Sequence, residues 1–147
     1  MYSLVKSILR QKGTDIQSVA PETPVTQAVR IMDAKRIGGL LVMKDGRTVG
    51  IFTERDLMRR VVAAGLDPLT TPVSEVMTRE VIAIKADTSV DDAMAVISQK
   101  RCRHLPVVDG EQLVGMISSG DLTHWQSQDR ELHIEELVNF ITGKYPA

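Results

Sequence analysis

Residues 23–57 recur 65 positions later as residues 88–122, and the two segments align without a gap. Eleven of the 35 aligned pairs are identical. The alignment keeps a Gly-x-x-Thr/Ser-x-x-Asp motif in register, at 50–56 in the first copy and at 115–121 in the second. Two copies of one unit, each with one apolar face, can bury those faces against each other. The sequence therefore predicts a tandem duplication with a shared core.

Each copy has the pattern strand, helix, strand, strand, helix. In the first copy we predict a strand at 16–19, a helix at 25–35, strands at 40–43 and 49–52, and a helix at 53–64. In the second copy we predict a strand at 81–84, a helix at 90–100, strands at 105–108 and 113–117, and a helix from 118 onward. Asp45-Gly46 is typical of a hairpin turn, and Thr23 and Thr88 are the predicted helix caps.

The predicted fold class is mixed α/β, of the α+β kind, with two pseudo-symmetric β-α-β-β-α repeats packed sheet to sheet. The first repeat spans 8–65 and the second spans 73–127. Helices at 1–12 and 129–143 flank them, because apolar residues recur there at helical spacing. The Pro- and Thr-rich segment 67–72 is the predicted linker.

The composition narrows the classes of function that are compatible with the chain. It has 147 residues, 43% hydrophobic residues and a formal net charge of -1, so no charge excess attracts it to nucleic acid or to a membrane. Aromatic residues make up only 3%, which supplies few stacking platforms for bases. The single cysteine, Cys102, excludes an intramolecular disulfide and a multi-cysteine zinc site, and it favours a reducing cytoplasm.

The doubled motif has two readings on local grounds. The hydroxyls of Thr53 and Ser118 can cap a helix while Asp56 and Asp121, three residues on, reach back to the cap amide. The same hydroxyl and acid, at a junction of strand and helix, can instead hold a small anion or a ribose. Capping is the commoner role of such a pattern.

The doubled motif, the run 103–108 (Arg-His-Leu-Pro-Val-Val) and the helix starts at Thr23 and Thr88 resemble those of a tandem pair of CBS (cystathionine β-synthase) domains, or Bateman module. The similarity covers residues 8 to 126. It implies two pseudo-symmetric clefts for adenosine-containing ligands such as AMP, ADP, ATP, NAD(H) or S-adenosylmethionine. In that family the aspartate holds the ribose hydroxyls and basic residues meet the phosphates.

The resemblance also implies two sets of nucleotide-binding residues. The first set is Thr53, Arg55, Asp56, Val81, Ile82, Arg103 and His104. The second set is Ser118, Asp121, Ile16, Gln17, Gly38 and Gly39. Because glycines in the second set replace the basic pair of the first, we expect the Asp56 site to dominate polyphosphate binding.

The predicted function is that of a stand-alone regulatory module without catalysis, which senses a nucleotide for an unidentified partner protein. No set of nucleophile, base and orienting group is visible in the sequence, and no metal site is predicted. The alternatives are a weak enzyme acting on the bound nucleotide and a nucleic-acid-binding accessory protein. The resemblance implies a homodimer, formed through helices 54–64 and 119–126 with Val61, Val62, Leu122 and Trp125.

Overall fold

The computed structural model describes residues 3–128 and 138–143. In chain order the elements are α1 (Val5–Lys12), β1 (Ser18–Val19), α2 (Val25–Lys35), β2 (Gly39–Lys44), β3 (Arg47–Thr53), α3 (Glu54–Asp56, continued by a π-helical segment Leu57–Val62), α4 (Val73–Val76), β4 (Ile84–Lys85), α5 (Val90–Lys100), β5 (His104–Asp109), β6 (Gln112–Ser118) and α6 (Ser119–Ser127). The mixed α+β class predicted from the sequence is confirmed.

The chain forms two compact units. Residues 15–83 form one, which we call the Asp56 unit, and residues 1–14 together with 84–147 form the other, the Asp121 unit. Most of the predicted C-terminal helix lies outside the described residues, although 138–142 are helical. None of the described helices is both long and apolar enough to cross a membrane.

The Asp56 unit contains a three-stranded sheet in the order β1-β2-β3. Strand β1 runs parallel to β2, and β2 and β3 form the predicted antiparallel hairpin. Asp45 and Gly46 both have positive φ, at 53° and 74°, which is the backbone of a two-residue hairpin turn. Helix α2 buries Val25, Ala28 and Met32 in the core of this unit, as its helical period predicts.

The helix starts differ from the predicted caps. Thr23 does not cap α2, because the first two amides of the helix donate instead to the carbonyl oxygens of Thr71 and Pro68, at 2.9 and 3.0 Å. These carbonyls satisfy donors that a helix leaves unpaired. Segment 67–72 is therefore part of the Asp56 unit and not a free linker.

Helix α5 is capped one residue later than predicted. The hydroxyl of Ser89 accepts from the amide of Asp92 at 3.0 Å. The carbonyl of Thr88 accepts from the amide of Val5 at 2.8 Å, so Thr88 belongs to the contact with α1. The helix bounds themselves, Val90–Lys100, agree with the prediction.

Helix α3 is not the regular α-helix that the sequence predicts. After Glu54–Asp56 the chain continues as a π-helix over Leu57–Val62, and the amide of Ala63 donates to the carbonyl of Met58 at 2.9 Å. The wider turn ends at Gly65, whose φ is 73°. The apolar pattern of the sequence does not distinguish an α-helix, in which each amide bonds to the carbonyl four residues earlier, from a π-helix, in which it bonds five residues earlier. π-Helical segments are often found at functional sites.

The Asp121 unit contains the second sheet, in the order β4-β5-β6, together with α1, α5 and α6. Helix α1 buries its apolar face, formed by Val5, Ile8 and Leu9, and it contacts β6 and α6. Residues near the start of the chain are thus built into the same unit as the second motif.

The first strand of each repeat is shorter than predicted. Only Ile84 and Lys85 pair with β5, so Val81 and Ile82 lie before the strand and outside its ladder. Likewise Ile16 and Gln17 precede β1, although the carbonyl of Gln17 accepts from the amide of Leu41 at 3.2 Å. The apolar runs in the sequence are longer than the segments that find a partner strand.

The glycine of each motif lies under a close neighbour. A Cβ at Gly50 would lie 2.9 Å from Cγ of Met77 and 3.0 Å from the carbonyl oxygen of Thr78. A Cβ at Gly115 would lie 2.7 Å from Cδ2 of Leu9. The presence of glycine at this position in both copies therefore has a packing cause.

The surface predicted for self-association is partly core. The side chains of Val61 and Leu122 are fully buried, and Val61 packs in the core of the Asp56 unit. Val62 is 70% exposed and Met58 is 56% exposed. Only the outer residues of the predicted surface are available to another molecule.

Candidate functional site

In the Asp56 unit the motif forms a closed capping box. The hydroxyl of Thr53 accepts from the amide of Asp56 at 3.3 Å, and Oδ2 of Asp56 accepts from the amide and the hydroxyl of Thr53 at 3.0 and 3.2 Å. On the other oxygen, Oδ1 accepts from the hydroxyl of Thr78 at 3.0 Å and lies 3.7 Å from Nε of Arg60. The Asp56 side chain is only 7% exposed, so both of its oxygens are engaged within the unit.

Arg60 joins the same cluster from the π-helical segment. Its Nη1 donates to the carbonyl of Met77 at 2.7 Å, while its Nε faces Asp56. The guanidinium therefore connects α3 to the residues that follow α4. This arrangement holds a buried carboxylate with hydrogen-bond donors and a cation, which is what a buried charge requires.

In the Asp121 unit the same capping box is more open. The hydroxyl of Ser118 accepts from the amide of Asp121 at 3.1 Å, and Oδ2 of Asp121 accepts from the amide of Ser118 at 2.8 Å. Lys12 places its ammonium 2.6 Å from the same Oδ2 and also donates to the carbonyl of Met116 at 2.9 Å. The Asp121 side chain is 24% exposed, and within residues 3–128 and 138–143 its Oδ1 has no hydrogen-bond partner.

The environment of Asp121 keeps it ionised. Partial burial raises the pKa of the carboxyl, but the hydrogen bonds from Lys12 and the Ser118 amide, with the charge of Lys12, outweigh burial and hold the pKa below its ordinary value of 3.8. An ionised carboxylate accepts hydrogen bonds and donates none. Asp121 is therefore suited to ligand groups that donate, such as hydroxyls.

Several predicted site residues of the Asp56 unit meet at one end of its sheet. Gly39 lies opposite Thr53 in the β2–β3 pairing, and the carbonyl of Gly38 accepts from the amide of Glu54 at 3.0 Å. Gln17 contacts the same sheet through Leu41. Of the other predicted residues, Arg55 lies in the first turn of α3 and Ile16 precedes β1. Val81 and Ile82 lie near the last residue of the unit in sequence, Ala83.

The predicted basic pair lies beside the second motif. His104 is paired with Ser118 across β5 and β6, and the carbonyl of Arg103 accepts from the amide of Ser119 at 2.8 Å. Arg103 and His104 thus share a unit with Asp121. Each predicted set draws residues from both units, and the composition of the two sets stays a prediction.

Sequence reasoning missed three residues that contact the motif acids, Arg60, Thr78 and Lys12. Thr78 follows α4, and Lys12 ends α1, so each lies outside the motif that it contacts. Extending the 65-residue offset places Lys12 opposite Met77, which is uncharged, so the repeat itself carries no signal for a cation there. The burial of Leu9 under β6, which brings Lys12 to Asp121, is visible only in three dimensions.

The structure describes no group of three or more His, Cys, Asp or Glu residues that could hold a metal ion, within the part of the chain that it covers. The candidate site thus consists of two capped helix starts. The carboxylate of Asp56 is buried, and the carboxylate of Asp121 is partly exposed beside the ammonium of Lys12.

Comparison with known proteins identifies the family. The family model for the CBS domain matches residues 5–63 and 73–128, which is most of the chain. The chain belongs to the CBS domain family. One CBS relative is the CBS domain-containing protein YhcV of Bacillus subtilis, 36% identical over 118 residues that cover 80% of this chain and 84% of YhcV.

Solved CBS structures share the fold. A protein with CBS domains from Burkholderia ambifaria is 38% identical, with a TM-score of 0.84 over 87% of this chain and 96% of that one. A CBS domain pair solved in complex with 5′-methylthioadenosine and S-adenosyl-L-methionine is 25% identical, with a TM-score of 0.77 over 88% of this chain and all (100%) of that one. The resemblance deduced from the doubled motif is thereby confirmed at the level of family and fold.

Proposed function

We propose that this CBS pair is a regulatory module that binds an adenosine-containing ligand and performs no chemistry on it. The observation that carries the proposal is the Asp121 carboxylate, which is ionised, partly exposed, and has an oxygen without a partner among the described residues. Two neighbouring ribose hydroxyls are donors that fit such an acceptor. A CBS pair of similar fold was solved with two adenosine-containing ligands, which supports this class of ligand.

The proposal assigns different roles to the two motif acids. Asp56 has donors on both oxygens and is nearly inaccessible, so a ribose would have to displace the hydroxyl of Thr78 to reach it. Asp121 requires no such displacement at Oδ1. We therefore propose that the Asp121 motif binds the ribose more strongly, whereas the sequence predicted that the Asp56 site dominates polyphosphate binding. The candidate ligands remain AMP, ADP, ATP and NAD(H).

The test has two steps. Mass spectrometry of small molecules released from freshly purified protein names any retained nucleotide without assuming one. Calorimetry with AMP, ATP and NAD then compares the wild type with Asp121→Asn, which replaces the open acceptor by an amide of the same shape. We expect the affinity to fall at least about tenfold, because a hydrogen bond to a charged group is lost.

A matched control is Asp92→Asn, which changes an exposed acid in the first turn of α5. Its affinity should equal that of the wild type. Unchanged binding in Asp121→Asn, or an equal loss in Asp92→Asn, would contradict the assignment. Chromatography of ATP after incubation with the protein separates a binding module from a weak enzyme, since a binding module leaves ATP intact.

The predicted homodimer is also part of the proposal, with Val62 and Met58 as its accessible apolar residues. Burial of apolar side chains at an interface is favourable. Light scattering at micromolar concentration should give twice the monomer mass, and Val62→Asp should reduce it. A monomeric wild type would contradict the dimer. The regulated partner and the cytoplasmic location stay predictions.

A further inference from the structure

Lys12 lies at the second motif although the two are far apart in sequence. Helix α1 is anchored by buried Val5, Ile8 and Leu9, and Leu9 fills the space above Gly115. The last residue of this helix is Lys12, whose side chain is 39% exposed. Its ammonium is therefore presented at the edge of the Asp121 motif by packing, rather than by a mobile loop.

The ammonium of Lys12 can still donate a hydrogen bond to a ligand. A lysine has three N–H donors, and among the described residues only Asp121 Oδ2 and the carbonyl of Met116 accept from it. Ion pairs that remain this accessible to water contribute little to stability, so the cation can be shared with an incoming anion. Arg103 is exposed in the same unit, with its backbone next to Ser119, and adds positive charge.

A carboxylate beside a cation suits a ligand with hydroxyl donors and an anionic group on the same small framework. The ribose of a nucleotide has this combination, because the ring that carries the neighbouring hydroxyls also carries the 5′-phosphate. The ammonium attracts a phosphate, whereas it gains nothing from an uncharged 5′-substituent such as a thioether.

Building on the proposed function, we propose that Lys12 is a specificity-determining residue, which makes the Asp121 site select adenosine 5′-phosphates over uncharged adenosine ligands. Neither the repeat nor the motif predicts this role, which depends on the contact between α1 and the start of α6. The ligand class expected for this chain is thus a nucleotide, and 5′-methylthioadenosine is expected to bind weakly.

The experiment measures the ratio of the affinity for AMP to the affinity for adenosine by calorimetry. The ratio isolates the phosphate, because any effect of a substitution on ribose binding or on folding acts on both ligands. We expect a ratio of about ten in the wild type, since one charge-assisted contact of modest strength gives a factor of this order. In Lys12→Gln, which keeps a donor for Asp121 but no charge, the ratio should fall to about two or less.

Two further variants control the result. Lys12→Arg keeps the charge and should keep most of the preference, and Lys6→Met removes an exposed lysine from the same helix and should leave the ratio unchanged. Circular dichroism and adenosine binding verify that each variant is folded.

The possible failures are distinguishable. Equal affinity for AMP and adenosine in the wild type, or an unchanged ratio in Lys12→Gln, would overturn the role of Lys12 while leaving the binding module intact. A wild type that binds neither adenosine nor AMP would overturn the proposed function as well. A preference that disappears in Lys12→Gln and persists in Lys12→Arg would establish the inference.

Discussion

At the scale of single residues, two aspartates with the same local motif have different surroundings. Both complete a capping box, so the local geometry alone does not separate them. Asp56 is closed by Arg60, four residues later, and by Thr78, 22 residues later. Among the described residues, Asp121 contacts only Lys12 beyond its own helix start. The exposure of each aspartate therefore differs with the residues that contact it from outside the motif, although the motif itself is the same.

Replacement of Thr78 by valine tests the structural role of the closed site. Thr78→Val keeps the volume of the side chain but removes the donor to Oδ1 of Asp56, which stays buried. We expect a loss of about 1–3 kcal/mol in the free energy of unfolding, measured by urea denaturation. The control Thr123→Val removes an exposed hydroxyl that donates to the carbonyl of Ser119, and a loss of equal size there would contradict this reason.

The pH dependence of stability tests the Asp121 environment. The folded pKa of Asp121 lies below the unfolded value, so the folded state binds fewer protons at this group. Its contribution is therefore complete above about pH 4 and is lost as the pH falls through the folded pKa. The stability difference between wild type and Asp121→Asn should shrink from about pH 6 to about pH 3 in urea titrations. A difference that grows toward acid pH would contradict this sign.

At the scale of elements, each motif glycine is covered by a residue that lies outside the aligned segments 23–57 and 88–122. Helix α1 provides Leu9 over Gly115, and the end of α4 provides Met77 over Gly50. The glycines permit this close approach because any larger side chain would overlap the neighbour. Packing thus explains a motif position that could otherwise be attributed to a ligand.

Alanine substitutions at the glycines measure this packing. Gly50→Ala should cost about 1–3 kcal/mol, because Thr78 meets the new methyl with backbone, which cannot rotate away. Gly115→Ala should cost less, since it meets the flexible end of Leu9. Gly120→Ala, whose methyl would lie 3.6 Å from the nearest atom, the Ser118 hydroxyl, should not lower the stability in a thermal melt. A destabilised Gly120→Ala would contradict the steric cause.

The elements themselves could largely be predicted from the sequence. Helices α2 and α5 and the Asp45-Gly46 hairpin follow from apolar periodicity and turn chemistry, which are local properties. The caps predicted at Thr23 and Thr88 were wrong. Carbonyl groups distant in sequence satisfy the start of α2, and the hydroxyl of Ser89, one residue later than predicted, caps α5. Lys12 could not be predicted, because its contact depends on how α1 packs.

At the scale of the whole molecule, the boundaries of the repeat and those of the compact units differ. The duplication is read from residues 23–57 and 88–122, but residues 1–14 are compact with 84–147, and 73–83 belong to the Asp56 unit. A repeat alignment counts similarity, whereas a compact unit reflects which surfaces are buried together. The bounds of the repeats, 8–65 and 73–127, stay a prediction, and they differ from the bounds of the compact units.

Removal of the residue that anchors α1 tests this organisation. Leu9→Ala deletes a buried side chain from the Asp121 unit and should cost about 2–4 kcal/mol. In hydrogen exchange followed by mass spectrometry, peptides from 84–128 should exchange faster, with the largest increase at β6. An increase confined to 15–83 would contradict the assignment of α1 to the Asp121 unit.

The contact between Lys12 and Asp121 spans 109 positions of sequence. This separation determines when, during translation, α1 can pack. The Asp56 unit is one continuous stretch and can fold soon after the ribosome has passed residue 83. Helix α1 is synthesised earlier, yet β6, against which it packs, is complete only after residue 118 has emerged. The apolar face of α1 therefore has no partner strand while about a hundred residues are added at ~5–20 residues per second, and it is exposed to water or bound by a chaperone during that time.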